Sequence, residues 1–265
     1  MMKNILITGS TDGIGKLVAI KLAKDGHSIY VHGRNEEKVD TAISEIRSKS
    51  GNDKVHGFVA DLSDLDAVKK MAQQVRDQVS QIDVLINNAG VFKTLNFYTK
   101  DGLDLRFVVN YLAPFLLTKE LLPLVKKENE ARIINLSSAA QANISYEAMI
   151  GKEKISFNES YAQSKLALTM WSFHLAKELE GIAIIAVNPG SLLNTKMANA
   201  AYGQYWSPAN KGADVLYDLA VSEDHKGISG KYFDNDKGEY ANAHPHAYDE
   251  LEINKLIDFT NKLID

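Results

Sequence analysis

The chain has 265 residues, 45% of them hydrophobic and 24% charged, enough to bury a core without covalent staples. It contains no cysteine, which excludes disulfides, thiolate metal sites and a cysteine nucleophile. Lys and Arg number 30 against 34 Asp and Glu, a net charge of −4, so no basic excess points to nucleic acid or an anionic bilayer.

Short runs rich in Ile and Val predict strands at 5–8, 28–32, 55–59, 84–86, 132–136, 183–187 and 231–233. Longer amphipathic stretches predict helices near 14–25, 36–48, 64–79, 103–127, 160–179, 209–222 and 248–263. No continuous apolar run reaches the roughly 18 to 20 residues of a membrane span. The opening MMKNILITGS enters a strand pattern and lacks the features of a signal peptide. The expectation is a cytoplasmic protein with no membrane partner. Strand–helix alternation implies a single α/β domain over 1–265, doubly wound, with a parallel seven-stranded sheet and helices on both faces. Ligands of such sheets bind outside the carboxyl ends of the strands, where strand order switches.

The first strand runs into Thr8-Gly9-Ser10-Thr11-Asp12-Gly13-Ile14-Gly15, and a helix follows. Glycines permit a tight turn and close backbone approach, and the helix N-terminus offers N–H groups to a pyrophosphate. The spacing is a variant of the G-x-G-x-x-G dinucleotide loop, and Lys16-Leu17 rules out a Walker loop. Asp12 sits badly beside phosphate unless it turns away. The second strand ends in His32-Gly33-Arg34-Asn35. An NAD site commonly carries a carboxylate there for the ribose 2′-hydroxyl. Arg34 beside a vacant acidic position suits the 2′-phosphate of NADP instead, although a solvated Arg at the sheet edge gives the same pattern.

Tyr161-Ala162-Gln163-Ser164-Lys165 opens a helix, with Tyr161 and Lys165 on one face a turn apart. A nearby ammonium favours the phenolate, so such a tyrosine can exchange a proton with an alcohol or carbonyl oxygen. Ser137-Ser138 follow a strand, and Ser138 can hydrogen-bond a substrate oxygen or simply make a turn. Asn87-Asn88-Ala89-Gly90 follow another, again with a turn as the plain reading. Asn110 lies four residues before Pro114, which has no N–H to give its carbonyl. The kink would leave that carbonyl open for a water.

These residues, in this order, resemble the short-chain dehydrogenase/reductases over essentially the whole chain: TGSTDGIG at Thr8–Gly15, Asp61-Leu62, NNAG at Asn87–Gly90, Asn110, Ser138, YAQSK at Tyr161–Lys165 and NPG at Asn188–Gly190. The resemblance implies a Rossmann-type domain and hydride transfer between NADP and a carbonyl or alcohol. It implies catalytic roles for Asn110, Ser138, Tyr161 and Lys165, with Asn110 anchoring a relay water and Lys165 also holding the nicotinamide ribose. It places Gly9, Ser10, Thr11, Gly13, Ile14, Gly15, Arg34, Asn35, Asp61, Leu62, Asn88, Ala89, Gly90, Tyr161, Lys165, Pro189, Gly190 and Thr195 at the cofactor.

Two departures stand out. The family's Thr after the PG motif falls one position late, at Thr195. Ser138 and Tyr161 are widely separated, a spacing similar to retinol-dehydrogenase-like reductases.

The segments 139–160 and 191–208 join elements that carry site residues. They supply Ile144, Tyr146, Met149, Ile150, Leu192, Leu193, Met197, Tyr202, Tyr205 and Trp206. Both are expected to act as mobile substrate lids over a mainly apolar small molecule. His244-Pro245-His246 lacks a carboxylate partner at ligand spacing, so no metal site is expected. Helix 160–179 carries Leu166, Leu168, Met170, Trp171, Phe173 and Leu175; helix 103–127 carries Phe107, Val108, Leu112, Phe115, Leu116 and Leu117. Helices apolar all round are buried all round, so a homo-oligomer, dimer or tetramer, is expected. Two other functions share the fold: a non-catalytic NADP(H)-binding sensor or scaffold, and a nucleotide-sugar epimerase. The modest tail after 231–233 leaves little room for the second.

Overall fold

The computed structural model describes residues 1–125, 131–203 and 205–264, without the side chains of 200–202. The expectations for the Tyr202 side chain and for helix beyond residue 125 lie outside these residues. The chain builds β1 (Asn4–Ile7), α1 (Gly13–Lys24), β2 (Ser28–Gly33), α2 (Glu36–Ser50), β3 (Val55–Val59), α3 (Leu65–Gln78) and β4 (Val84–Asn87). There follow α4 (Leu105–Phe107), α5 (Ala113–Leu121), β5 (Arg132–Leu136), α6 (Tyr146–Met149), α7 (Phe157–Glu178), β6 (Ala183–Asn188), α8 (Lys196–Tyr202), α9 (Ala209–Val221), β7 (Lys231–Asp234), β8 (Glu239–Ala241) and α10 (Glu250–Ile264).

One sheet runs in the order β3-β2-β1-β4-β5-β6-β7-β8. Strand order reverses between β1 and β4, so the crevice above that pair is the switch point. The first seven strands are parallel, as expected; β8 pairs antiparallel with β7 and makes the sheet eight-stranded. Its Glu-Tyr-Ala is too short and polar to stand out as an apolar run.

Alternate strand residues point to opposite faces. β1 sends Ile5 and Ile7 to the layer of α1, α2 and α9, and Leu6 to the layer of α3, α5, α7 and α10. β6 divides likewise, Ile185 and Val187 against Ile184 and Ala186. Each fully buried Leu or Ile contributes roughly 1.5–3 kcal/mol.

The stretch 103–127, expected as one helix, is built in pieces. Asp104 caps α4, a π turn spans Val108–Leu112, α5 follows, and a 3₁₀ turn closes at Leu122–Leu124. Pro114 cannot donate to the four-residue ladder, so a simple kink was expected there. The chain instead widens the preceding turn, and the Ala113 N–H bonds the Val108 carbonyl. Leu105–Leu124 also has the length and mean hydropathy, 1.2, of a membrane span, although Arg106, Lys119 and Glu120 interrupt its apolar run; 72% of its most apolar window is buried within the protein.

All the apolar residues named above on α7 and on the 105–121 stretch are buried within the single chain. The cover comes from inside: α10 packs along α7 and adds Ile253, Leu256, Ile257 and Ile264 to the same core. Tyr111 bonds Thr260 at 2.7 Å in the interior, and the Tyr146 and Phe259 rings meet at 4.8 Å. The apolar circumference of these helices therefore gives no reason for a partner chain, which corrects the argument for an oligomer.

Candidate active site

The β1–α1 turn is shaped by what its glycines allow. Gly9 and Gly13 have φ of +63° and +56°, where a side chain is strained. A Cβ on Gly9 would sit 2.8 Å from the Ala89 Cα, and one on Gly15 2.5 Å from the Asn88 amide nitrogen. The loops after β1 and β4 thus touch across the switch point. Asn88 Nδ2 donates to the carbonyls of Thr8 (2.8 Å) and Gly9 (2.9 Å), and Thr8 Oγ1 accepts from the Asn88 and Ala89 N–H groups. Asn88 therefore holds the glycine loop. Ser10 Oγ donates to the Ile7 carbonyl (2.7 Å) and accepts from His32 N (2.9 Å), joining β1 to β2. A Cβ on Gly33 would lie 2.5 Å from Thr11 Cγ2, so Thr11 fills the space that Gly33 leaves.

Asp12 accepts from the Gly13 N–H, capping α1, and pairs with Lys196 Nζ at 2.6 Å. The Lys196 ammonium holds its carboxyl below the usual carboxylate range. That pairing offsets the charge that counted against a phosphate here. Ile14 packs where a Cβ on Gly212 would stand, so α1 and α9 meet closely.

His32 was not singled out in the sequence, because a lone His in an apolar strand carries no spacing signal. It is 3% exposed. Its Nδ1 accepts from the Gly9 N–H at 3.0 Å, so Nε2 carries the proton and donates to the Ala60 carbonyl at 3.0 Å. Burial pushes its pKa down to about 4. One neutral ring thus ties the glycine loop to the ends of β2 and β3.

Arg34 is exposed at the end of β2. Asn35 caps α2 through the Lys38 N–H (3.0 Å), and Asp61 Oδ1 accepts from the backbone and hydroxyl of Ser63. Leu62 is buried. The Ala60 N–H on the Gly33 carbonyl (3.1 Å) keeps these two strand ends side by side.

At the other end, Ser156 and Glu159 form a capping box that starts α7, so Tyr161 and Lys165 lie in its first turns. Lys165 is buried, and its Nζ donates to the Leu136 carbonyl at 2.6 Å. Burial pushes its pKa down to about 7. Its Nζ stands 5.6 Å from the Tyr161 ring centre, and Phe92 meets that ring edge-on at 4.9 Å. A Cβ on Gly90 would come within 3.3 Å of Asn110 Oδ1 and 3.6 Å of Lys165 Nζ. Asn110 accepts from the Val91 N–H and donates to the Val91 carbonyl and Ser164 Oγ. Ser138 is half-buried after β5; its hydroxyl accepts from the Ala140 N–H, and its carbonyl accepts from the Tyr232 hydroxyl and the Gln141 amide. Residues from β4, the π turn, β5 and α7 therefore converge beside Gly90.

After β6, Pro189 and Gly190 (φ +119°) turn the chain, and Leu192 has φ +46°, uncommon for a side chain. This left-handed residue marks where the loop takes up the extra position before Thr195. Thr195 Oγ1 accepts from the Ala198 N–H, capping α8, and its methyl lies 3.9 Å from where a Gly13 Cβ would be. Thr195 therefore reaches the glycine loop despite its displaced position. The turn between β7 and β8, absent from the sequence reading, supports this loop. Asp236 accepts from the Ser191 N–H (2.9 Å), the Ser191 hydroxyl (2.5 Å) and Asn188 Nδ2 (2.9 Å). Asn235 Nδ2 donates to the Pro189 carbonyl at 2.8 Å.

The apolar residues expected to line a lid divide. Met149 and Leu193 are core, and Tyr146 faces α10. Met197 is partly exposed near Gly90, and Tyr205 and Trp206 are exposed. The 139–160 segment is anchored to α7 by Ala142 N–H on the Ala162 carbonyl and Ser145 N–H on Gln163 Oε1. A further wall, residues 91–104, carries Phe92 and was not anticipated, since it has neither period nor motif. Among the described residues no cluster of His, Asp and Glu could hold a metal ion.

A family model for short chain dehydrogenases matches residues 3–205. Mouse retinol dehydrogenase 13 is 33% identical over 282 aligned residues, covering 99% of this chain and 84% of that protein. A crystal structure of an uncharacterised protein from Mycobacterium paratuberculosis superposes with a TM-score of 0.81 at 25% identity, covering 99% of this chain and 93% of that one. A short chain dehydrogenase from Shigella flexneri, complexed with NADP, superposes with a TM-score of 0.71 at 26% identity, over 88% of this chain and 97% of that one.

Proposed function

This chain belongs to the short-chain dehydrogenase family, and from that premise we propose an NADP(H)-dependent oxidoreductase that interconverts a carbonyl and an alcohol on a mainly apolar small molecule. The observation that carries the reading is that Asn110 and buried Lys165 meet beside Gly90 at the strand-order switch, with the Tyr161 ring centre 5.6 Å from Lys165 Nζ and the Leu136 carbonyl, two residues before Ser138, bonded to that same Nζ. A dinucleotide suits the crevice. The glycines keep side chains out of the β1–α1 turn, and the N-terminus of α1 presents N–H groups to a pyrophosphate. Arg34, exposed at the end of β2 beside Gly33, would meet a 2′-phosphate, and Gly90 leaves room before Lys165. The NADP held by the Shigella flexneri relative supports the choice of cofactor.

When bound, the nicotinamide supplies the hydride. The chain's own residues do the rest. Tyr161 Oη gives its proton to the alkoxide oxygen in reduction and takes it back in oxidation. Ser138 Oγ orients that oxygen. Lys165 Nζ, fixed by the Leu136 carbonyl, has further N–H donors; its ammonium form lowers the cost of the tyrosinate. Asn110 holds the Val91 backbone through its side chain, leaving its main chain to anchor a relay water. The retinol-dehydrogenase likeness and the exposed Met197, Tyr205 and Trp206 support an apolar substrate.

The test is turnover of a carbonyl panel with NADPH and NADH. NADPH should be preferred, and Arg34→Glu should weaken NADPH selectively. Tyr161→Phe should abolish turnover and spare NADPH binding; Lys165→Ala should harm both. Retention of most of kcat in Tyr161→Phe would refute the catalytic assignment.

A further inference from the structure

Beside the candidate catalytic tyrosine lies a buried charge pair that neither the sheet nor the cofactor crevice requires. Asp104 is 1% exposed and Arg106 0%. Arg106 donates from Nε to Asp104 Oδ1 (3.0 Å) and Ser160 Oγ (2.9 Å), and from Nη2 to Asp104 Oδ2 (2.7 Å) and the Phe97 carbonyl (2.9 Å). Its Nη1 reaches Thr94 Oγ1 at 3.4 Å. The guanidinium also faces the rings of Phe97 and Phe157, 4.1 and 4.9 Å from their centres. Ser160 Oγ in turn donates to Asp104 Oδ1 at 2.7 Å, and the Asp104 N–H bonds the Met149 carbonyl.

Stability alone is a weak reason for this arrangement. Apolar residues of similar volume commonly serve as well or better than a buried ion pair. What the pair adds is geometry, because the guanidinium fork fixes several partners at once. Here the partners come from the 94–97 wall, from α6 through Asp104, and from the first turn of α7. Two of them border Tyr161: Ser160 precedes it in the chain, and Phe92, at the root of the wall, packs edge-on against its ring. The glycine loop and the β2 and β3 ends contribute nothing to the cluster.

We propose that Asp104, Arg106 and Ser160 form a positioning cluster for Tyr161, fixing the start of α7 and the Phe92 wall so that the phenol meets the substrate oxygen. The role rests on the carbonyl–alcohol chemistry proposed above. It acts on the orientation of the reacting groups, where a misplacement of about 1 Å costs on the order of a hundredfold in rate. It leaves the dinucleotide crevice untouched, so kcat and cofactor affinity separate.

The experiment compares wild type with Ser160→Ala, which removes one hydroxyl, and Arg106→Lys, which keeps the charge and loses the fork. The full chain is used, with kcat and carbonyl KM measured on the best carbonyl and NADPH affinity read by fluorescence. Expected are a fall in kcat of about tenfold for Ser160→Ala and about a hundredfold for Arg106→Lys, with NADPH affinity within about twofold. Ser160→Ala combined with Phe92→Ala should lose less than the product of the single losses, because both act on one ring. If Arg106→Lys does not fold, Ser160→Ala decides alone. Wild-type kcat in Ser160→Ala, or an equal fall in NADPH affinity, overturns the positioning role while the wild-type activity stands. A wild type that turns over no carbonyl overturns the functional reading and this role together.

Discussion

Acid should loosen the cofactor loop through His32 before it unfolds the rest of the sheet. The ring accepts one hydrogen bond and donates another, a pattern only the neutral imidazole can make. Protonation would turn an Nδ1–H against the Gly9 N–H inside the protein. Above pH 6.5 this ring is neutral in both the folded and unfolded chain. As pH falls, the unfolded chain takes the proton first, because burial lowers the folded value from 6.5 to about 4. Stability is therefore lost progressively between those two values. The full difference corresponds to about 3 kcal/mol, of which about 2 kcal/mol is lost by pH 5. His27 and His244 are shifted down as well, so the His32 share must be isolated. His32→Asn does so, since an amide oxygen can still accept from Gly9 and does not titrate. Urea unfolding at pH 7.5 and 5.0 should show wild type losing about 2 kcal/mol more than the variant. In the folded chain the ring takes its proton only near pH 4, so NADPH affinity should hold at pH 5 and fall as pH approaches 4, in wild type only. Equal losses in the two proteins would refute the reasoning.

Asp236→Ala should weaken NADPH binding about tenfold, because three donors of Asn188 and Ser191 lose their acceptor; an unchanged affinity by fluorescence titration would show the Pro189–Ser191 turn is held otherwise. Lys196→Ala should speed NADPH release about threefold at low salt, with the difference vanishing at high salt; stopped-flow dilution reads it, and salt-independent release would count against the Asp12 contact. Light scattering at micromolar concentration should give a monomer, since the apolar residues of α5 and α7 are buried within the chain, with α10 packed along α7; a stable dimer would require another surface.

Most of the sheet was legible because buried parallel strands are apolar on both faces, and β3 and β5 have the bounds read from the sequence. β8 was not, since an edge strand of one exposed and two half-buried residues needs no apolar run. The candidate catalytic residues stood out because Tyr161 and Lys165 share a helix face and Ser138 follows a strand. The groups that hold them did not. Asp104 and Arg106 are two apart, a spacing with no helical meaning, and are joined by a fold that brings Ser160 between them. Asp236 sits in a turn that reads as ordinary Asp-Asn-Asp-Lys-Gly punctuation. The π turn was seen only as a proline conflict: Pro114 locates the broken ladder and does not say how the chain repairs it.

The placement of α10 has a consequence for how the chain is made. Synthesis runs from the N-terminus, so Tyr111, Tyr146 and the apolar face of α7 emerge before the helix that packs on them. Until residues 250–264 arrive, the back of α7 is a wet apolar surface on an otherwise formed sheet. A nascent chain at that stage is exposed to association with other nascent chains. Chains interrupted just short of α10 should therefore be recovered as aggregates rather than as slightly smaller enzymes. The α10 segment, remote in sequence from the glycine loop, thus governs whether that loop is presented in soluble form.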